Sequence, residues 1–177
     1  MASHFLIYLF INIYSILTDS NYVWVGTEAG VYTLDKAKNS WYRFMTPDGL
    51  LNNQVRSIAR WSDQKKSSGK EEIWFGTDTG ILGYSPVNDK SRVYDNRLNF
   101  PEVDVFKLVC DKTNVWAATK NGVWKLNRTT EIWIKYTTDD GLLDNNVQDM
   151  VLDGDYIWFG TPQGVTRFFW NDPGIRE

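Results

Sequence analysis

Apolar residues in this chain come in short bursts of five or six, each closed by a turn, and nowhere with the three-to-four spacing of a helix. One burst recurs almost unchanged. Val23-Trp24-Val25-Gly26-Thr27 is followed by Gly30-Val31, and Ile73-Trp74-Phe75-Gly76-Thr77 by Gly80-Ile81. Val115-Trp116-Ala117-Ala118-Thr119 is followed by Gly122-Val123, and Ile157-Trp158-Phe159-Gly160-Thr161 by Gly164-Val165. The tryptophans stand at 24, 74, 116 and 158, so the spacings are 50, 42 and 42. The long first spacing holds a polar insertion, Ser62 to Glu72; shortening it by eight residues restores the period.

The register extends to other positions. Trp41 and Trp133 fall seventeen residues after their tryptophans, with Ser91 in the second repeat. Phe44, Tyr94 and Tyr136 fall at twenty, and Val55, Val105 and Val147 at thirty-one. Ile58, Leu108 and Met150 fall at thirty-four. Backwards, Asn12 to Leu17 matches Asn146 to Val151. A period of 42 residues divides into four strands and their turns. The final unit predicts strands at Val147 to Leu152, Tyr156 to Thr161 and Gly164 to Trp170; a fourth strand is clearest at Trp133 to Thr137.

The Trp24 strand is apolar on both faces, with Val23 and Val25 opposite Trp24. Such a strand needs a sheet covered on both sides, and blades packed between blades supply that cover. The predicted fold is therefore an all-β propeller of four-stranded antiparallel blades, about four in this chain. One domain, 1–177, is expected, with repeat units near 12–53, 54–103, 104–145 and 146–177. Gly30, Gly80, Gly122 and Gly164 read as hairpin glycines. Gly26, Gly76 and Gly160 read as places where a side chain would strike a neighbour, or where a bulge is needed.

The pattern Asp48-Gly49-Leu50, Asn53, Val55, Trp74-Phe75-Gly76-Thr77 recurs as Asp140-Gly141-Leu142, Asn145, Val147, Trp158-Phe159-Gly160-Thr161. It resembles the two-component regulator propeller repeat, over residues 12 to about 170. Asn99-Phe100-Pro101-Glu102 departs from it. The resemblance implies the sensor part of a bacterial hybrid histidine kinase or a related surface protein. It further implies a periplasmic or extracellular place and an oligosaccharide among the ligands. No signal peptide is evident: Phe5 to Leu17 lacks basic residues and a cleavage site, and is too short and too interrupted to span a membrane.

Composition narrows the chemistry. Net charge is -3, which argues against a nucleic-acid surface, and Lys65-Lys66 fits a solvated loop. Cys110 excludes an internal disulfide and fits a buried hydrophobe; His4 alone makes no metal site. No cofactor is expected. Asp139-Asp140, Asp153 and Asp155 fit turn chemistry better than catalysis. The ligand candidates are Asp48, Asn52, Asn53, Asp140, Asp144 and Asn145 in the loops between blades, with Trp61 as a ring for a sugar face. The commoner role of such Asn and Asp residues is to cap their own loops. Trp24, Trp74, Trp116 and Trp158, with Gly26, Gly76 and Gly160, are structural.

Three functions fit: a ligand-sensing propeller, a protein-interaction scaffold, and a lyase or hydrolase acting at the rim. The first, non-catalytic, is preferred through the resemblance. Three closure states also fit: a piece of a larger propeller, two arcs paired into a ring, and a strained four-bladed monomer. Phe5 to Phe10 could supply a missing outer strand, but lies too close to Ile13 in register to cross between blades.

Overall fold

A computed structural model describes residues 11–44, 49–50, 52–63 and 70–170. The structure holds four antiparallel sheets, laid down in chain order. The first sheet is β1 (Ile13–Thr18), β2 (Tyr22–Thr27), β3 (Gly30–Asp35) and β4 (Ser40–Phe44). The second is β5 (Val55–Ser62), β6 (Glu71–Thr77), β7 (Gly80–Ser85) and β8 (Lys90–Tyr94). The third is β9 (Val105–Cys110), β10 (Asn114–Thr119), β11 (Gly122–Asn127) and β12 (Trp133–Tyr136). The fourth, among the described residues, has three strands: β13 (Asp149–Asp153), β14 (Tyr156–Thr161) and β15 (Gly164–Phe169). The candidate outer strand Phe5 to Phe10, to which the register objects, lies outside the described residues, as do His4 and Lys65-Lys66. Part of the polar insertion is strand: β5 and β6 run past the period as a lengthened hairpin, and Asp63 N–H donates to the Lys70 carbonyl.

Each sheet is a blade whose first strand meets the first strand of the next blade: β1 with β5, β5 with β9, β9 with β13. Three apolar cores fill the three gaps. Trp24, Val31 and Leu50 meet Ile58, Phe75 and Leu82 in the first. Trp74, Ile81 and Tyr94 meet Leu108, Ala117 and Leu126 in the second. Trp116, Val123 and Leu142 meet Met150, Ile157 and Phe159 in the third. Burial on both faces explains why the middles of β6 (Ile73 to Phe75) and β10 (Val115 to Ala118) are apolar without alternation, and it supplies the main driving force for stacking.

The repeated motif has a mechanical reading. In each blade the motif threonine donates its hydroxyl to the glycine carbonyl three residues on, at 2.8–3.0 Å: Thr27 to Gly30, Thr77 to Gly80, Thr119 to Gly122, Thr161 to Gly164. The same hydroxyl accepts an N–H from the turn, from Ala29, Thr79, Asn121 and Gln163. Those glycines have φ between 104° and 150°, which a side chain would strain.

The strand glycines divide. A Cβ on Gly26 would lie 2.8 Å from the Val55 carbonyl oxygen, and one on Gly76 would lie 2.7 Å from Val105 Cγ1. Both give room to the following blade, as expected. Gly160 does not: its nearest neighbour would be the Asp149 carbonyl oxygen at 3.7 Å, in ordinary contact, because no following blade packs there among the described residues. Gly76→Ala is therefore expected to destabilise by about 1–3 kcal/mol through overpacking, while Gly160→Ala should change the folding stability of a single chain by under about 0.5 kcal/mol. Urea titration of the two variants checks the difference.

A second repeated device pins the tryptophans. Asp19, Asp111 and Asp153 each accept the indole N–H of the tryptophan five residues on, at 3.1, 2.7 and 3.2 Å. In the second blade the lengthened hairpin displaces that position, and Glu72 accepts from Trp74 instead at 3.2 Å. Burial would raise the Asp19 pKa, but N–H groups of Tyr22, Asn21 and Trp24 together outweigh it and hold the carboxyl below its ordinary value. The unfolded chain therefore takes up that proton first as pH falls. The stability that Asp19 contributes is complete above the ordinary carboxylate range and disappears as pH drops through the lowered folded value. Urea midpoints measured from neutral pH down to about pH 3 should fall less steeply for Asp19→Asn than for the parent chain.

Candidate functional site at the inner end of the blades

The first strand of each of the first three blades carries a one-residue bulge near its start. Pairing jumps from Ile13 to Ser15, from Val55 to Ser57 and from Val105 to Lys107. The skipped residues are Tyr14, Arg56 and Phe106, and a bulge re-aims the side chain it carries. Since β1, β5 and β9 are the innermost strands, these residues stand beside the axis around which the blades turn.

Around Arg56 they form a polar cluster. Arg56 Nε donates to Asp78 Oδ1 at 2.5 Å, and its guanidinium carbon lies 5.5 Å from the centre of the Tyr14 ring. Gln54 Nε2 donates to the Tyr14 hydroxyl at 3.3 Å, and Arg56 Nη2 donates to Gln54 Oε1 at 3.4 Å. The hydrogen bond from Asp78 raises the Arg56 pKa above its ordinary value against the opposing effect of burial; Asp78 and Asp104 add their charge in the same direction. Tyr14 is 39% exposed, so the cluster is open to solvent. It offers one ring face, a planar donor, an amide and a carboxylate within a single bonded group.

Of the loop residues expected from sequence, Asn52 and Asn53 adjoin this cluster in the chain and Asp140, Asp144 and Asn145 belong to the last linker, and those described are engaged within their own loops. Asn52 Oδ1 accepts from Gln54 N–H at 2.7 Å, and Asp144 Oδ1 accepts from Asn146 N–H at 2.8 Å. The carbonyls of Asn53 and Asn145 accept from Gly30 and Gly122 N–H at 2.6 Å, tying each inter-blade loop to the motif hairpin. Asn145 Oδ1 also accepts from Thr138 N–H at 2.9 Å. Asp140 Oδ2 accepts from Thr137 N–H at 2.9 Å and closes a capping box on the turn Thr138–Asp140. Asp48 lies outside the described residues.

Trp61 stands apart from them. It lies near the far end of β5, roughly 20 Å from Val55 at about 3.3 Å per residue, and so on the opposite rim. Its indole N–H donates to the Lys112 carbonyl at 3.0 Å, and Arg128 stacks 3.4 Å from the ring centre while donating to Glu72 at 2.8 Å. One ring face is thus taken by a clamp between the second and third blades. A groove of ≈ 740 Å³ runs beside it along Arg60, Ser62, Asp63, Asp111 and Lys112. Cys110 borders this groove, and burial raises its thiol pKa far above the ordinary value. A second groove, ≈ 310 Å³, lies between the first two blades and is lined by Tyr22, Trp24, Phe44, Phe75 and Tyr84 with Asp35 and Lys38.

Sequence reasoning missed Tyr14, Gln54 and Arg56. The available signal was variation: in a repeat that holds its tryptophan and valine positions fixed, the residues after Ile13, Val55, Val105 and Val147 read Tyr, Arg, Phe and Gln.

Solved structures share this architecture, which is that of a β-propeller-like all-β protein. The extracellular domain of BT4673 from B. thetaiotaomicron, described as a one component system, superposes with a TM-score of 0.68 at 21% identity over 88% of this chain and 21% of that one. The extracellular domain of BT3049 from the same organism, described as a hybrid two component system, gives 0.56 at 21% identity over 93% of this chain and 28% of that one. PorZ, a surface component of the type-IX secretion system of Porphyromonas gingivalis, gives 0.51 at 17% identity over 89% of this chain and 32% of that one. This chain therefore spans between 21% and 32% of these neighbours' lengths, and the likeness is one of fold. No family model matches the chain, and no curated protein sequence matches it.

Proposed function

We propose that this chain is a non-catalytic recognition module, the ligand-sensing part of a bacterial signalling protein of the two-component regulator propeller type, working outside the cytoplasm. The Tyr14–Gln54–Arg56–Asp78 cluster carries the reading. It is an open, hydrogen-bonded polar group set by bulges at the inner end of a rigid stack, where binding groups are held in place at little entropic cost. Neighbours that are extracellular domains of one component and hybrid two component systems support the class and the compartment.

The ligand of this reading is a small polyhydroxylated molecule, an oligosaccharide in particular. A ring face beside a guanidinium, an amide and a carboxylate offers apolar stacking together with fixed donors and acceptors, which is what a sugar presents in reverse. Of the carboxylates weighed for catalysis, Asp140 caps its turn and Asp153 accepts from Trp158, which supports the non-catalytic reading.

Calorimetry against a panel of oligosaccharides tests the proposal. Saturable binding should appear, and Arg56→Ala should weaken it at least tenfold, about 1.4 kcal/mol, with the fold intact by circular dichroism. Binding unchanged by Arg56→Ala and by Tyr14→Ala would remove the site; the absence of any binder would remove the ligand class.

A further inference from the structure

The three gaps between blades are built to one plan, and the described residues hold both halves of a fourth gap without closing it. In the plan, the first strand of the following blade sets two apolar side chains against the preceding blade. Val55 and Ile58 meet Gly26, and Val105 and Leu108 meet Gly76. Val147 and Met150 share the third core with Ala118, which takes the glycine's place. A side-chain hydroxyl stitches the first two gaps: Ser15 Oγ accepts from Ile58 N–H at 3.1 Å, and Ser57 Oγ accepts from Leu108 N–H at 2.9 Å. In the third, Lys107 stands where those serines stood and cannot accept. There Met150 N–H donates to the Asp149 carboxylate of its own strand at 2.9 Å, and Lys107 pairs with the same carboxylate at 3.5 Å.

The fourth blade repeats the receiving half. Gly160 holds the socket position, yet a Cβ there would meet only Asp149 of its own blade. Trp158 shares this face, with the Arg167 guanidinium 5.6 Å from its ring centre, and Val151 and Val165 are 58% and 62% exposed. The first blade holds the inserting half. Ile13 occupies the place of Val55, Val105 and Val147, and Ile16 that of Ile58, Leu108 and Met150; they are 50% and 65% exposed. Among the described residues β13 and β1 share no contact of the extent that joins β1 to β5, so these two halves are not joined there as the other blades are.

We propose that the Gly160–Trp158 face of one copy receives the Ile13–Ile16 strand of a second copy, head to tail, and that the contact is made twice about a two-fold axis to close an eight-bladed ring of two chains. The occupant is named by the plan itself: each receiving face in the protein takes a strand of this one kind, and the unused strand of that kind is on the same chain. A head-to-tail contact closes into a ring or grows into an open filament according to its rotation, and a stack that already turns by blade after blade about one axis favours closure.

Light scattering and sedimentation velocity on the purified chain test it. A species of twice 20.5 kDa is expected. Gly160→Arg fills the socket and Ile16→Asp places a charge on the inserting strand; both are surface changes in a single chain, and each alone should give a folded monomer. Mixed, they should recover a dimer through the one undamaged pair of faces, since each variant keeps the half that the other has lost. A parent chain that stays monomeric at every concentration overturns the proposal, as it would if a further repeat in a longer polypeptide covered the face. A dimer that survives both variants overturns it too, and a ladder of larger species that both variants abolish keeps the contact but overturns the ring. Where Gly160→Arg fails to fold, Ile16→Asp and a separate double variant, Ile16→Cys with Gly160→Cys, give the same decision: the first should be monomeric and the second should form an intermolecular disulfide under oxidation, and a second variant that forms none overturns the proposal.

Discussion

Trp116→Ala should cost this protein about 3–5 kcal/mol, the range for removing a large buried aromatic without collapse of the space it leaves. The side chain is wholly buried between the third and fourth blades. Tyr136 stacks on it at 5.8 Å, Trp170 meets it edge-on at 6.3 Å, and the Lys125 ammonium lies 5.5 Å from its centre. Its indole N–H donates to Asp111 at 2.7 Å, so truncation also leaves a carboxylate without one of its donors. Chemical denaturation measures the loss; a value below about 1 kcal/mol would mean that the ring does not hold the gap. Location adds a second expectation. In a stack where each unit touches only its neighbours, damage at one gap uncouples what lies beyond it. Amide exchange in β13 to β15 should therefore speed up more than exchange in β1 to β4.

Trp158→Ala offers the internal comparison. The same residue in the same motif lies on a face that no blade covers among the described residues, with Arg167 above it. Sequence treats the four tryptophans alike, because a repeat records what a position is built for and not whether its partner is present. Gly160 shows the same thing: it reads as a socket from its place in the motif, and among the described residues no neighbouring blade enters it.

The blades themselves were legible for an equally physical reason. A sheet covered on both faces writes its burial directly into an unbroken apolar strand, and hairpins with positive φ write theirs into glycine. What stayed hidden depends on side chains reaching across the period. Ser15 and Ser57 look like ordinary strand residues until the N–H of the next blade is seen on their hydroxyls. Trp61 reads as a free ring until Arg128, sixty-seven positions on, is found stacked on it. The bulge residues Tyr14 and Arg56 carry no periodic signal, since the same position reads Phe106 and Gln148 in the other two blades.

The linker that departs from the repeat yields the other large effect. Phe100→Ala should destabilise by about 3–5 kcal/mol, as much as the loss of a motif tryptophan. Asn99-Phe100 interrupts the Asp-Gly-Leu pattern by sequence, but the structure shows the same device in other residues. Asn99 takes φ 59° where Gly49 and Gly141 take 107° and 101°, and asparagine is the side chain that best tolerates that region. Asp95 accepts from Arg97 N–H as Thr137 accepts from Asp139 N–H in the third linker. Phe100 then fills the place of Leu50 and Leu142, fully buried, with its ring 4.8 Å from Trp133 and 5.6 Å from Trp124. The ring fills that place by packing on those two indoles, contacts that the smaller leucine side chain would make only in part. Phe100→Leu should accordingly recover much of the loss but not all of it. A urea midpoint for Phe100→Leu equal to that of the parent chain would show that the aromatic contacts contribute nothing beyond the area they cover.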